Sequence, residues 1–83
     1  MKTKIPVEIA SDYGVENIMI TEWYKNSGDR VEKNENLCHL DLGKWDGDLP
    51  APESGTLEIL IHAEETLEGG GKKHIIATIE KES

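Results

Sequence analysis

The chain has 83 residues, of which 36% are hydrophobic, and its formal net charge is −8. A chain of this length forms one small domain that removes only about 60–65% of its extended surface from water. Its negative field disfavours binding to nucleic acid or anionic lipid and favours basic partner surfaces, although acidity by itself also keeps a small domain soluble. We therefore expect a single domain over residues 1–83, with an ordered core from about residue 5 to residue 79, that binds neither nucleic acid nor membrane.

The single cysteine, Cys38, excludes an intrachain disulfide and fits a reducing compartment. The residues from Met1 to Glu8 contain two lysines but no apolar stretch behind them, so we predict no secretory signal. No apolar run approaches the length of a membrane-spanning helix. These features predict a cytoplasmic protein, or a protein of the mitochondrial matrix if the source is eukaryotic.

The residue pattern favours strands over helices along the whole chain. Alternation around Pro6 predicts an edge strand, and β-branched residues argue against a helix at 15–24. A turn signal at 26–29 precedes the isolated apolar residue Val31. The strands predicted by this pattern are 5–9, 15–24, 37–42, 57–61 and 74–79, with residues 80–83 frayed.

The two halves of the chain resemble each other. Residues 19–31 align without a gap on residues 55–67, and three extra residues in a glycine-rich loop then align 37–40 with 76–79. Each copy reads as strand, turn, short apolar anchor, loop and strand. The repeat predicts an all-β, quasi-twofold structure in which two similar sheets close over one core.

The segment between the two halves places Lys44 among turn-forming residues. Gly43 suits the first central position of a two-residue hairpin turn, where φ is positive, and such a turn would hold the Lys44 amine off the hairpin end. A competing turn at Asp46-Gly47 would leave Lys44 on a strand flank. Asp46-Gly47 is the stronger hairpin signal of the two, so the residues alone leave both turns open; a lysine held on a turn at 43–44 would suit an attachment point.

The chain resembles the biotinyl/lipoyl carrier-domain family. The motifs that carry the resemblance are the turn Gly28-Asp29-x-Val31, the following Leu37, and Ala51-Pro52-x-x-Gly55. Their joint spacing places Lys44 on the lysine that carries the prosthetic group in that family. The resemblance therefore favours the turn at 43–44 and implies a bulge or kink at 46–47. The resemblance implies a flattened β-barrel or sandwich of two four-stranded antiparallel sheets (a barrel-sandwich hybrid). It also implies a modified lysine at one end and both chain termini at the other.

The resemblance further implies a swinging-arm carrier domain that has no catalytic activity of its own. In the family, a separate protein ligase joins lipoic acid or biotin to the lysine through an amide. The arm then carries acyl, aminomethyl or carboxyl groups between partner enzymes. We find no catalytic constellation in the sequence, and we expect a lipoylated domain of a 2-oxoacid dehydrogenase-type complex.

The residues beside Lys44 match neither subclass of the family completely. Lipoyl domains usually read Glu-x-Asp-Lys-Ala and biotinyl domains Ala-Met-Lys-Met, whereas this chain reads Asp41-Leu42-Gly43-Lys44-Trp45. Asp41 keeps the lipoyl-type carboxylate, and Gly43 replaces the lipoyl-type aspartate. No methionine lies beside Lys44, which counts against biotin. Trp45 would pack along the arm or cover the neighbouring strand. We predict lipoic acid on Lys44, flanked by recognition residues Asp41, Gly43 and Trp45; the alternatives are biotin on Lys44 and an unmodified binding or assembly module.

The other conspicuous residues have plainer explanations. The three aspartates near Lys44 do not fit the calcium-loop spacing, and Cys38-His39 lacks a second pair at zinc spacing. We therefore predict no metal site and treat Cys38 as a core thiol. Trp23 aligns with Ile59 in the repeat, which predicts that its ring packs against the core.

Overall fold

The computed structural model describes residues 2–43 and 46–82, and within these ranges it contains eight β-strands and no helix. No segment of the described chain forms the long apolar helix that crossing a membrane would require. The strands are β1 (Lys2–Ala10), β2 (Asn17–Trp23), β3 (Arg30–Val31), β4 (Asn36–Asp41), β5 (Asp46–Pro50), β6 (Gly55–Ile59), β7 (Thr66–Glu68) and β8 (Lys73–Glu82).

The strands form two four-stranded antiparallel sheets. One sheet has the order β1-β8-β6-β3 and the other has the order β5-β4-β2-β7. If β1–β4 are exchanged with β5–β8, so that β1 is replaced by β5 and β8 by β4, the first order becomes the second. This relation confirms the quasi-twofold arrangement that the sequence repeat predicts, and the two sheets together form the predicted flattened barrel-sandwich.

The sequence repeat also matches the pairing of individual residues. Trp23 pairs with Cys38 between β2 and β4, and the equivalent Ile59 pairs with Ala77 between β6 and β8. Before Glu22, the residue pairs of the β2–β4 ladder are offset by one residue from the equivalent pairs of the β6–β8 ladder. The offset arises because the β2–β4 ladder has a bulge between Ile20 and Glu22. A bulge adds one residue to one strand only, so the two halves remain similar without being identical.

The hydrophobic core lies between the two sheets. Its largest fully buried members come from both halves of the chain: Ile18, Ile20, Leu37, Leu57, Ile76 and Ile79. Cys38 is also fully buried, and this burial raises the pKa of its thiol to about 12, which confirms the prediction of a core thiol. The Trp23 ring packs against the core, as predicted, and its indole Nε1–H donates to the carbonyl oxygen of Ile61 at 3.0 Å.

The sequence pattern does not predict β3, β5 and β7 as strands, and the bounds of the other five strands differ from the predicted ones by one to three residues at each end. Residues 80–82 continue β8, where Lys2 pairs with Glu82, so the prediction of a frayed segment is wrong for these residues. The charged residues resemble a solvated tail, but β1 supplies hydrogen-bond partners along the whole of β8. Strand β6 ends at Ile59, two residues earlier than predicted.

The two edge strands β1 and β5 face each other across an open seam. Pro6 lies in β1, which agrees with the predicted edge strand, since proline cannot donate to a second neighbour. At one end of the seam a groove of about 270 Å³ is lined by residues that include Ala10, Leu42 and Gly47. Leu42, the first residue of the β4–β5 connection, therefore lies near the Ala10 end of β1, and the Lys2–Glu82 pair lies at the other end of that strand.

Candidate attachment site

Strands β4 and β5 form the hairpin that contains the predicted attachment lysine. The last pair before the connection is Asp41–Asp46, so residues 42–45 join the two strands. Lys44 and Trp45 lie outside the residues that the structure describes. The modification of Lys44 and the role of the Trp45 ring therefore remain predictions, and the described residues on either side define the site.

The competing turn at Asp46-Gly47 does not form. Both residues belong to β5, and Gly47 pairs with Leu40 of β4. The predicted bulge at 46–47 is also wrong, because the irregularity in this ladder lies between Asn36 and Cys38. A turn at 46–47 would have shifted the β5 register, whereas the observed register turns Leu49 towards the core.

Asp41 and Gly43 fix the β4 side of the connection. Gly43 has φ +89°, which confirms the positive φ predicted for this position. Its backbone N–H donates to Oδ1 of Asp41 at 2.8 Å, an aspartate-centred turn that shapes the backbone immediately before Lys44. A β-carbon built on Gly43 would have no neighbour within 4 Å, so the chain is open to solvent at this point. Asp41 thus has a structural role in addition to its predicted role in recognition.

His39 links β4 to the β5 side of the connection. Its Nδ1 lies 2.9 Å from Oδ1 of Asp48, and its Nε2 lies 3.1 Å from Oδ2 of Asp46. The hydrogen bonds to Asp48 and then to Asp46 raise the pKa of His39 above its ordinary value, against a smaller opposing effect of desolvation. The two carboxylates therefore stabilise the charged form of the imidazole.

Asp48 is held by three side chains. Besides His39, the Tyr24 hydroxyl donates to Asp48 Oδ1 at 2.6 Å, and Asn36 Nδ2 donates to Asp48 Oδ2 at 3.3 Å. The bond from Tyr24, followed by that from His39, lowers the pKa of Asp48, while the bond to Asp48 raises the pKa of Tyr24 to about 12. We call Tyr24, Asn36, His39, Asp46 and Asp48 the His39 network.

The sequence pattern does not reveal the His39 network, because its members come from β4, β5 and the residue after β2 and meet only through the pairing of β4 with both neighbouring strands. The alternation of outward-facing polar residues in both strands was the available signal, but it does not say which residues stand opposite each other. Within residues 2–43 and 46–82, no cluster of histidine, cysteine, aspartate and glutamate side chains is arranged to hold a metal ion.

A quasi-twofold sandwich with a lysine-containing connection between its fourth and fifth strands has the architecture of a prosthetic-group carrier domain. Comparison with known proteins gives the same class: the family described as biotin-requiring enzyme, which covers biotin and lipoyl attachment, matches residues 2–79. The chain belongs to this biotin/lipoyl attachment family.

The chain is also similar to the dihydrolipoyllysine-residue acetyltransferase component of the pyruvate dehydrogenase complex from Corynebacterium glutamicum. The two are 40% identical over 58 residues, which make up 69% of this chain and 9% of that protein. The chain therefore corresponds to a small part of this relative.

Proposed function

We propose that the chain is a non-catalytic carrier domain, lipoylated at Lys44, that shuttles acyl or related groups between active sites of a 2-oxoacid dehydrogenase-type complex. The observation that carries this proposal is the position of Lys44 in the connection from β4 to β5 of a biotin/lipoyl attachment domain. The relative from Corynebacterium glutamicum supports lipoate, since its name describes a dihydrolipoyllysine residue. We assign this function to the cytoplasm, or to the mitochondrial matrix in a eukaryote.

The described surroundings of position 44 suit a covalent arm. The chain is held in a turn by the Gly43–Asp41 hydrogen bond on one side and is paired from Asp46 onwards on the other. Gly43 is exposed, which suits the approach of a ligase to the chain immediately before Lys44. A rigid hairpin also limits the region that the arm must search, which raises its effective concentration at partner active sites.

A lysine amine in water has a pKa of about 10.4 and is mostly protonated at neutral pH, so its acylation requires a ligase and an activated acid. Bound lipoate would supply a disulfide that accepts electrons and an acyl group and passes the acyl group on. The protein would supply the lysine for the amide, the turn that precedes it and the surface that its partner enzymes recognise.

Trp45 has a testable role beside the arm. If its ring guides the lipoyl group, Trp45→Ala will lower turnover by partner enzymes while changing the free energy of unfolding little. Trp23→Ala is the contrasting variant, since Trp23 packs on the core and its loss should cost about 3–5 kcal/mol. A comparably large loss of stability in Trp45→Ala would identify Trp45 as a packing residue instead.

Intact-mass spectrometry after incubation with a lipoyl protein ligase, lipoic acid and ATP tests the proposal directly. We expect one lipoyl adduct, located on Lys44 by peptide fragmentation and lost in Lys44→Arg. Lys33→Arg is the matched control, since Lys33 is an exposed lysine outside the hairpin connection; this variant should be modified fully.

The same experiment with a biotin protein ligase and biotin distinguishes the alternatives. A biotin adduct on Lys44 in place of a lipoyl adduct would replace our proposal with a biotin carboxyl carrier domain, which the family as a whole also includes. The absence of an adduct with either ligase would leave an unmodified binding or assembly module.

A further inference from the structure

The His39 network lies close to Lys44 in the sequence, on the strands that flank the β4–β5 connection, but has no part in the attachment proposal itself. Both ring nitrogens of His39 face carboxylate oxygens, at 2.9 Å for Asp48 and 3.1 Å for Asp46. A neutral imidazole carries one N–H and can donate only one hydrogen bond; its other nitrogen would then present a lone pair to a carboxylate. Two bonds of this kind therefore require the imidazolium.

The position of Asp46 connects this arrangement to the lysine. Asp46 is the first described residue after Lys44 and Trp45, and Asp48 follows on the same strand. The two bonds from His39 thus tie the beginning of β5 to β4, in addition to the backbone ladder. Asp41 and Gly43 fix the β4 side independently, so His39 acts on the β5 side alone.

The groups that face His39 from the neighbouring strands are acids and a phenol. Glu22 of β2 stands opposite His39 in the ladder, Tyr24 follows β2, and Asp41 lies two residues further along β4. With Asp46 and Asp48 on β5, the described surroundings favour a positive charge on the ring. The hydrogen bond from Tyr24, followed by that from His39, lowers the pKa of Asp48 and so stabilises its ionised form.

We propose that His39 is a positioning residue for Lys44: its imidazolium holds Asp46 and Asp48 and fixes the β5 side of the hairpin, and its deprotonation releases one of these carboxylates. The presentation of Lys44 to an acylating ligase then depends on pH through His39. The part of this inference that concerns the hairpin stands on the geometry alone, and the part that concerns acylation rests on the proposed function.

Amide hydrogen exchange tests the hairpin part without any ligase. Protection factors at residues 46–48 are measured from pH 5.5 to pH 8.5 for the wild type and three variants: His39→Gln, His39→Arg and the matched control His62→Gln, which alters an exposed histidine. The midpoint of the His39 titration is read from its ring signals by NMR.

In the wild type and in His62→Gln, protection should fall by roughly threefold or more as the pH rises through the His39 midpoint. His39→Gln should show the low protection at every pH. His39→Arg should keep the high protection throughout, because guanidinium stays charged and has several donors. Protection that is independent of pH and unchanged in His39→Gln would overturn the inference.

The role of His39 in acylation is tested by measuring the rates of lipoylation of the wild type and of His39→Gln at each pH. The ratio of the two rates cancels the pH dependence of the ligase itself. We expect this ratio to exceed one at low pH, to approach one above the His39 midpoint, and to stay constant for wild type against His62→Gln. A flat ratio in a protein that is acylated would show that His39 does not position Lys44. A wild type that is never acylated would instead contradict the proposed function, and the exchange data would still decide whether His39 holds the hairpin.

Discussion

Gly55 lies against the backbone of β8, so that a β-carbon built on Gly55 would come within 2.4 Å of the carbonyl oxygen of Glu80. On its other side Gly55 pairs with Val31 of β3. The glycine that ends the Ala-Pro-x-x-Gly motif is thus required by the close approach of two strands, and any larger side chain must displace backbone.

We expect Gly55→Ala to destabilise the domain by about 1–3 kcal/mol, because the added methyl group overpacks the contact between β6 and β8. Urea denaturation measures the change. Gly14→Ala is the matched control: a β-carbon there would have no neighbour within 4 Å, so its effect should stay within about 0.5 kcal/mol. Equal urea midpoints for the two variants would contradict this account of Gly55.

Substitutions at Gly43 test the conformation of the hairpin connection. Because φ at Gly43 is +89°, Gly43→Ala should cost roughly 1–2 kcal/mol, measured by urea denaturation. Aspartate tolerates positive φ better than alanine, so Gly43→Asp should cost less. It also restores the lipoyl-type aspartate, and we expect it to increase the rate of lipoylation. A rate that is unchanged or lower would reject the idea that this glycine weakens ligase recognition.

Leu37 and Ile76 occupy equivalent positions in the two halves, and both are fully buried. Leu37→Ala and Ile76→Ala should each lower the free energy of unfolding by about 2–5 kcal/mol. Leu60→Ala serves as the control, since Leu60 is 48% exposed and its truncation should cost much less. A small loss for only one of the two buried sites would show that the halves share a topology but do not contribute equally to the core.

The His39 network predicts a defined pH dependence of stability. The pKa of His39 is raised in the folded state. Its contribution to the free energy of unfolding is therefore complete below the ordinary histidine pKa of about 6.5 and is lost as the pH rises through the folded-state pKa. The pKa of Asp48 is lowered in the folded state. Its contribution to the free energy of unfolding is therefore present above the ordinary pKa of an aspartate and is lost as the pH falls through the folded-state pKa. Thermal melts should therefore show the largest difference between wild type and His39→Gln from about pH 4 to pH 6.5.

Tyr24→Phe separates the two titrations in this network. The variant removes the O–H donor that contributes most to the lowered pKa of Asp48, so we expect NMR titration to show a higher Asp48 pKa. The acid side of the stability profile should move to higher pH for the same reason. Tyr13→Phe is the control, because Tyr13 is 90% exposed and does not belong to the network. An unchanged Asp48 titration in Tyr24→Phe would show that this hydrogen bond does not form in solution.

Cys38 should be chemically silent in the folded domain. A rise in its pKa from 9.0 to about 12 lowers the thiolate fraction at pH 8 by roughly three orders of magnitude, and burial blocks access as well. We expect a thiol-specific disulfide reagent to label the protein rapidly in denaturing urea and at least about 100-fold more slowly in its absence. Comparable rates in the two conditions would place the thiol at the surface.

Local patterns in the sequence predicted most of the architecture. Alternation of apolar residues located most of the strands, the repeat predicted the exchange of β1–β4 with β5–β8, and glycine before Lys44 predicted the positive φ at Gly43. These features follow from side-chain periodicity and from the dihedral preferences of single residues, which act over a few neighbours and can be read along the chain.

The tertiary structure alone decided which residues of separate strands stand opposite each other. It made Asp46-Gly47 part of β5 rather than a turn, extended β8 to Glu82 by pairing it with β1, and brought His39 between Asp46 and Asp48. A strand register depends on the packing of a whole face against the core, and a shift of one residue would turn every side chain to the other face. The charged network beside Lys44 is therefore a consequence of how the two sheets close over their core, and no local segment of the chain specifies it.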